Sequence, residues 1–272
     1  MLKPFLKWPG GKYRLVDRIC QKLDTGQRLV EPFAGSAAVF LNTDYAAYLI
    51  ADSNPDLINL YQLLKAEGEP FIECCRELFR PGNNTKTVYY KLRQEFNDTG
   101  NRRRKSALFV YLNRHCYNGL CRYNSKGEFN SPFGRYTKPR FPGKEMYHFY
   151  LKSTAAEFIH ARFPDTLQQV RTGDVVYCDP PYIPLSKTSY FTDYASGGFS
   201  WDDQVDLVER AVKLARRGIQ VVISNHNTRA SRQLYRDGGA VIQSFSVRRS
   251  ISCQIKNRGM VGEILAVFQP AG

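Results

Sequence analysis

Val175-Val176-Tyr177-Cys178-Asp179-Pro180-Pro181-Tyr182 joins a short apolar run to an acid, two prolines and a tyrosine. A β-branched run that stops this abruptly reads as a buried strand. The prolines cannot continue a ladder, and they fix the backbone that follows. The strand therefore ends in a stiff platform carrying a carboxylate, backbone carbonyls and an aromatic face. In open α/β sheets, ligands bind at the C-terminal ends of the strands. A flat base with an exocyclic amino group suits such a platform: its N–H groups meet the carboxylate and a carbonyl, and its ring meets the tyrosine. The bland reading of the same residues is a turn with a buried tyrosine.

Outward from this strand, the pattern alternates strands with helices. Leu29 to Phe33 reads as a first strand, followed by small residues that open a helix over Ala37 to Asn42. Tyr48 to Asp52 reads as a second strand, closed by the turn chemistry of Asp52-Ser53-Asn54-Pro55. Pro55 then suits the first turn of a helix carrying Leu57, Ile58, Leu60, Tyr61, Leu63 and Leu64. Strands separated by helices imply a parallel sheet. From about 56 to 115 the apolar spacing is helical. Residues 118 to 142, rich in Asn, Gly, Pro and aromatics, read as a hairpin-like loop. Strand signals resume at Val175 and again at Ile219 to Ile223, and Ala240 to Val247 with Glu263 to Phe268 reads as a terminal antiparallel pair.

The chain has 272 residues, 43% of them hydrophobic and 24% charged, which is ample for a core and argues against disorder. No apolar run approaches the ~20 residues of a membrane helix. Lys3, Pro4, Lys7 and Trp8 interrupt the start, so no secretory signal is expected. The seven cysteines and four histidines show no ligand spacing. They are expected to be reduced thiols and packing or surface residues, with no metal site. The formal net charge of +14 favours phosphate-bearing partners. Arg102-Arg103-Arg104-Lys105 forms one basic block. Arg122, Lys126, Arg135, Lys138 and Arg140 are interleaved with Tyr123, Phe129, Phe133, Tyr136 and Phe141, a mixture that suits phosphate contact with base stacking.

Eight stretches occur in an order that resembles the DNA adenine-N6 methyltransferases of the Dam type. They are Leu6-Lys7-Trp8-Pro9-Gly10-Gly11-Lys12; Glu31-Pro32-Phe33-Ala34-Gly35-Ser36 with Ile50-Ala51-Asp52-Ser53-Asn54; Tyr117 to Asn124 with Phe133 to Tyr136; Asp179 to Tyr182; Ile223-Ser224-Asn225-His226; and Val247 to Ser252. The resemblance runs over nearly the whole chain. It implies an α/β fold with a Rossmann-like, seven-stranded methyltransferase sheet, one strand reversed, and an inserted helical DNA-recognition domain. The catalytic domain is then expected over 1–55 and 145–272, and the insert over 56–144. Expected partners are S-adenosylmethionine, released as S-adenosylhomocysteine, and double-stranded DNA. The enzyme is expected to be a cytoplasmic monomer that methylates adenine N6 within 5′-GATC-3′.

Site roles follow from the same resemblance. The turn Phe33-Ala34-Gly35-Ser36-Ala37-Ala38 lacks the further glycines of a pyrophosphate fingerprint, and S-adenosylmethionine has no pyrophosphate to bind. Asp52, at a strand end, is placed to accept the ribose hydroxyls, although acids there also serve as turn or cap residues. Trp8, Lys12, Phe33, Gly35, Asp52 and Asp179 are the expected cofactor residues. Asp179, Pro180 and Tyr182 are the expected catalytic residues. A carboxylate of pKa ~4 is no base for an aryl amine. Asp179 and the Pro180 carbonyl are instead expected to accept the two N6–H bonds, with Tyr182 stacked on a flipped-out adenine. The adjoining Cys178 reads as a buried strand residue. For DNA, Tyr117 is expected to wedge between base pairs, with Asn118 and Leu120 near base edges. Arg122 and Lys7 are expected to contact guanine, with Asn124, Pro132, Arg135 and Tyr136 near backbone and bases. For each aromatic the alternative is core packing, and for each arginine a phosphate contact.

Two departures stand out from the family pattern: His115-Cys116 replaces an aromatic-Gly pair, and Cys253 to Gly262 replaces a Gly- and Lys-rich segment. Two other readings compete. A cytosine-N4 or glutamine methyltransferase usually carries Ser or Asn in place of Asp179. A degenerate methylase that only binds DNA is opposed by intact Asp52, Asp179 and Tyr182. Whether the enzyme stands alone, in a host or phage, or partners a restriction nuclease is left open by the chain.

Overall fold

The computed structural model describes residues 1–182, 199–248 and 260–270. Its strands are β1 (Arg28–Glu31), β2 (Ala47–Asp52), β3 (Ala156–His160), β4 (Asp174–Cys178), β5 (Val221–His226), β6 (Val241–Arg248) and β7 (Met260–Phe268). They form a seven-stranded sheet in the order β3-β2-β1-β4-β5-β7-β6. β1 runs parallel to β2 and β4, and β4 parallel to β5. β7 is antiparallel to both β5 and β6 and supplies the expected reversed strand. β4 is buried along its whole length and β5 along all but His226, as parallel strands covered on both faces must be.

By chain contacts the molecule divides into two compact units. One comprises Met1–Val16, Gly35–Thr43 and Asp52–His160; the other comprises Asp17–Ala34, Asp44–Ala51 and Ala161–Gly272.

Most helices of the first unit follow from local signals. In α2 (Pro55–Glu67), the Asn54 side chain accepts from the Asp56 and Leu57 amides at 3.0 and 3.2 Å, and proline takes the first turn. α3 (Glu69–Arg76) follows directly. α4 (Lys86–Asp98) and α5 (Arg102–His115) are capped by Thr85 and Asn101. α6 (Gly143–Ser153) precedes β3. The core of this unit is aromatic: Phe149 stacks on Phe158 at 5.6 Å and lies 4.6 Å from the Tyr61 ring, with Phe5 and Phe40 edge-on to it. The strand β3 has no counterpart in the sequence reading, which resumes strands only at Val175. Its five residues bury only Ala156 and Phe158 fully and carry Glu157 and His160, a weak pattern in isolation.

A second difference lies after β1. The strand stops at Glu31, because Pro32 cannot donate to the ladder. The helix expected over Ala37 to Asn42 is one 3-10 turn, Phe40–Asn42. Gly35 and Ala37 both adopt left-handed backbone (φ 45° and 57°), which breaks any helix begun there.

In the second unit, α1 spans Val16–Cys20, its first residue belonging to the other unit, and α7 spans Phe163–Gln168. α8 (Trp201–Arg216) and α9 (Arg229–Asp237) begin with reciprocal caps, Ser200 with Asp203 and Thr228 with Ser231. Arg28 makes a two-pronged contact with Asp174, Nε to Oδ1 at 3.0 Å and Nη2 to Oδ2 at 2.7 Å, at the matched start of β1 and β4.

Candidate active site and nucleic-acid interface

The platform at Asp179 belongs to the second unit, where sheet register decides its surroundings. Cys178 pairs with Ile223, so the chain leaves β4 beside Ser224. Ser224 Oγ donates to Asp179 Oδ1 at 2.8 Å, and the Tyr177 hydroxyl lies 3.1 Å behind Ser224 Oγ. Pro180 is buried and Pro181 exposed. The Pro181 carbonyl accepts from Gln204 Nε2 at 2.8 Å. Gln204, buried on α8, in turn accepts from Asn225 Nδ2 at 3.2 Å. The reversed strand places Glu263 opposite His226. Tyr182 donates its hydroxyl to Glu263 Oε2 at 3.0 Å, and its ring meets the His226 ring edge-on at 4.6 Å. Burial, and then the charges of Asp179 and Glu263, raise the Tyr182 hydroxyl well above the usual phenol range, so it remains a donor. Side chains from α8, β5 and β7 thus fix each part of the loop. Cys178 is wholly buried, and burial raises its thiol, consistent with a packed strand residue. Phe33, also in this unit, stacks on Phe163 at 5.6 Å and meets Phe199 edge-on at 5.6 Å.

Gly35 and Asp52 lie in the first unit. The Gly35 amide donates to Asp52 Oδ2 at 3.0 Å, and its carbonyl accepts from the Tyr61 hydroxyl at 2.6 Å. A Cβ at Gly35 would fall 3.0 Å from Cδ1 and Nε1 of Trp8, so only glycine lets this indole lie over the turn. Asp52 Oδ1 accepts from the Asn54 amide at 2.9 Å. Burial raises the Asp52 carboxyl, against the pull of the Gly35 and Asn54 hydrogen bonds and of nearby His160. Both of its oxygens brace the turns on either side, as a turn residue's would. A carboxylate offers about four acceptor directions, so this bracing and a ligand diol are compatible. Lys12 is buried and donates to the Gly10 carbonyl at 2.6 Å. An indole over a bare glycine, with a half-buried acid fixed at the strand end, fits a nucleoside-bearing cofactor.

The first unit also gathers the expected DNA-reading residues. α5 ends at His115, whose ring stacks on Tyr111 at 3.9 Å and bonds the Tyr111 carbonyl at 2.8 Å. Burial lowers this imidazole to about 4, so it packs as a neutral ring. The chain then turns through Tyr117–Gly119, with Asn118 in left-handed backbone (φ 53°). The Asn118 amide donates to the Tyr136 hydroxyl at 3.0 Å, and Lys7 Nζ lies 4.0 Å from the centre of the Tyr136 ring. Asn113 clamps the Lys7 backbone, accepting from its amide at 2.9 Å and donating to its carbonyl at 2.7 Å. Burial and nearby Arg114 lower the Lys7 ammonium.

The hairpin-like loop is real: bridges join Cys116 to Phe133 and Tyr123 to Phe129. Tyr117, Arg122, Pro132 and Arg135 are exposed on it, Tyr117 by 43%. Arg135 is itself left-handed (φ 56°). Arg122 Nε donates to Asn130 Oδ1 at 2.7 Å, which holds the guanidinium in place. Ser131 Oγ donates to the Leu120 carbonyl. Asn124 folds onto its own turn, accepting from the Lys126 and Glu128 amides at 3.0 Å each.

The basic block at 102–105 keeps Arg102 and Arg103 exposed. It starts α5, and its side chains meet acceptors on neighbouring helices: Arg102 with Gln62, Arg103 with Glu67 at 2.6 Å, Arg104 with Glu95 at 2.6 Å, and Lys105 with Asp56 at 3.3 Å. Gln204 and Glu263 carry no motif signal in the sequence. Ser224 sits in a quoted stretch, at the C-terminal end of a strand, but with no role assigned to it. Arg249 to Ser252 and Cys253 to Gly259 lie outside the described residues.

A family model described as D12 class N6 adenine-specific DNA methyltransferase matches residues 8–251. The DNA adenine methylase of Vibrio cholerae serotype O1 is 49% identical over 269 residues, covering 98% of this chain and 96% of that protein. Those of Escherichia coli strain K12 and Serratia marcescens are each 48% identical over 268 residues. Both matches cover 98% of this chain, with 96% and 98% of the respective relatives.

Proposed function

Because the chain belongs to the D12 class N6 adenine-specific DNA methyltransferases, we propose that it methylates adenine N6 within 5′-GATC-3′ in duplex DNA, using S-adenosylmethionine. The observation that carries this reading is the Asp179–Tyr182 loop, in which the Asp179 carboxylate, the Pro181 carbonyl and the Tyr182 hydroxyl each make a separate hydrogen bond, while the neighbouring Pro180 carbonyl is the one proposed to meet the base. An acid at Asp179, rather than Ser or Asn, favours adenine over cytosine N4 or glutamine.

When bound, S-adenosylmethionine supplies an electrophilic methyl on a sulfonium. Trp8, Gly35 and Asp52 are the residues that would hold it, Asp52 through the ribose hydroxyls, and Lys12 and Phe33 are proposed to serve the same cofactor. The adenine amino nitrogen is a poor nucleophile, since its lone pair is delocalised into the ring. Asp179 and the Pro180 carbonyl accept its two N–H bonds, which turns the lone pair out of the ring plane. As positive charge grows on nitrogen, the fixed acceptors stabilise it without reorganising. Proton loss follows once the nitrogen has become acidic. Tyr182 packs against the adenine face, which requires the base to leave the stack. Tyr117 fills the space left behind, while Arg122 and Lys7 read guanine edges. Asn118, Leu120, Asn124, Pro132, Arg135 and Tyr136 shape the surrounding contact. The residues between 56 and 144 act as the recognition insert of a monomeric, cytoplasmic enzyme.

The test is methylation of a short GATC duplex and of single-substitution duplexes, with nucleosides identified by mass spectrometry. N6-methyladenine confined to GATC is expected. Methylcytosine, or equal methylation of altered sites, overturns the reading.

Asp52→Ala is expected to raise the KM for S-adenosylmethionine by about tenfold or more, with a smaller loss of kcat. A ribose contact is the same in ground and transition states, and one charge-assisted hydrogen bond is worth about that factor. Steady-state kinetics at saturating duplex measure both constants. An unchanged cofactor KM leaves Asp52 as a turn brace only.

A further inference from the structure

We propose that Ser224, backed by Tyr177, is a positioning residue that sets the rotation of the Asp179 carboxylate. The proposal rests on the reading of Asp179 as the N6–H acceptor. Ser224 Oγ is 2.8 Å from Asp179 Oδ1 and 3.1 Å from the Tyr177 hydroxyl. A hydroxyl has one proton to give, and a carboxylate only accepts. If Ser224 spends its proton on Asp179, its oxygen must accept from Tyr177. Asp179 Oδ1 at 2.8 Å is the nearer acceptor for that proton, the Cys178 carbonyl lying 3.4 Å away, and with the proton on Asp179 the chain runs from Tyr177 O–H to Ser224 Oγ and from Ser224 O–H to Asp179 Oδ1. Both relay residues are nearly inaccessible, Tyr177 at 2% and Ser224 at 1% exposure, so water does not substitute for either. Burial raises the Tyr177 hydroxyl well above the usual phenol range, and the charge of Asp179 adds to this, which keeps it a donor.

The geometry has a structural origin. Asp179 is the first residue beyond β4, where pairing with β5 has ended at Cys178 and Ile223. The strand ladder does not set the rotation of its side chain. Ser224 follows on β5 and reaches across, while Tyr177, two residues before Asp179 on β4, closes the chain from the same side of the strand. Donors joined in series polarise one another, which strengthens the final contact. The carboxylate is thereby pointed before any substrate arrives, and its orientation is not chosen at the moment of reaction.

The experiment compares Ser224→Ala, Tyr177→Phe, the double variant and Asp179→Ala in full-length protein. It measures kcat, KM for S-adenosylmethionine and for a GATC duplex, and the melting temperature. Ser224→Ala is expected to lower kcat by about 10- to 100-fold, as expected for losing one hydrogen bond to a charged group, with both KM values within about twofold. Tyr177→Phe keeps the ring and should lower kcat by about 2- to 10-fold through Ser224. In the Ser224→Ala background it should have no further effect on kcat, since its route to Asp179 is already cut. If Asp179→Ala is inactive while Ser224→Ala stays within about twofold of wild type in kcat, the positioning role is wrong. A loss in Ser224→Ala that follows raised KM values and a lowered melting temperature assigns Ser224 to fold stability and also overturns the role. Substantial activity in Asp179→Ala removes the reading of Asp179, and this proposal with it.

Discussion

Replacing Asp179 by alanine lowers methyl transfer by at least about a thousandfold while duplex binding stays within a few-fold of wild type. The magnitude follows from the place of the carboxylate: it meets the nitrogen on which charge develops, and removing a preorganised partner of that kind costs about 10²–10³ in rate. The loss of the Ser224 hydrogen bond adds to it, because the buried hydroxyl then falls back on the longer contact to the Cys178 carbonyl at 3.4 Å. Binding is spared because the carboxylate touches no phosphate in the proposed complex. Single-turnover methylation and direct duplex titration separate the two quantities. Methylation near the wild-type rate would sink the assignment, and an equal fall in rate and affinity would make Asp179 a binding residue.

Arg122→Ala is expected to lower GATC methylation by about 10- to 100-fold and to relax preference at one guanine only. One bidentate guanidinium–guanine pair carries about 1–3 kcal/mol of discrimination. The structure supplies the preorganisation this needs: Arg122 is exposed, and Asn130 holds its Nε at 2.7 Å and its Nη2 at 3.3 Å through the backbone carbonyl. The contrast is the block at 102–105. Because those side chains pair with Glu67, Glu95 and Asp56, their neutralisation should change duplex binding and its salt dependence little. Methylation of GATC and single-mismatch duplexes at several salt concentrations distinguishes the two sets. If Arg122→Ala weakens every duplex alike, it is a backbone anchor and carries no sequence information.

The sequence by itself determined the elements whose signals are local. The apolar run at Val175 followed by two prolines reads as a buried strand with a rigid exit, and Asn54-Pro55 as a helix start, and the structure has both. The last two strands were legible in the same way, and their antiparallel pairing gives the sheet its reversed member. β3 was not legible, because five residues with two buried side chains do not distinguish a strand from a loop. The turn after β1 was misread as a helix because small residues permit one, and only the hydrogen bonds of Gly35 to Asp52 and Tyr61 select left-handed backbone instead.

What the tertiary structure alone decided is which distant residues meet the motifs. Ser224 reaches Asp179 because two parallel strands pair in one register, and Glu263 reaches Tyr182 because β7 runs backwards along β5. Gln204 meets Pro181 because a helix crosses above the loop's carbonyl. Helix packing also sets carboxylates beside Arg103 and Arg104 and Gln62 beside Arg102, partners that no local pattern around 102–104 announces. Periodicity and turn chemistry act over a few residues, so they write elements into the sequence. Register and packing act between segments far apart in the chain, and no local pattern records them.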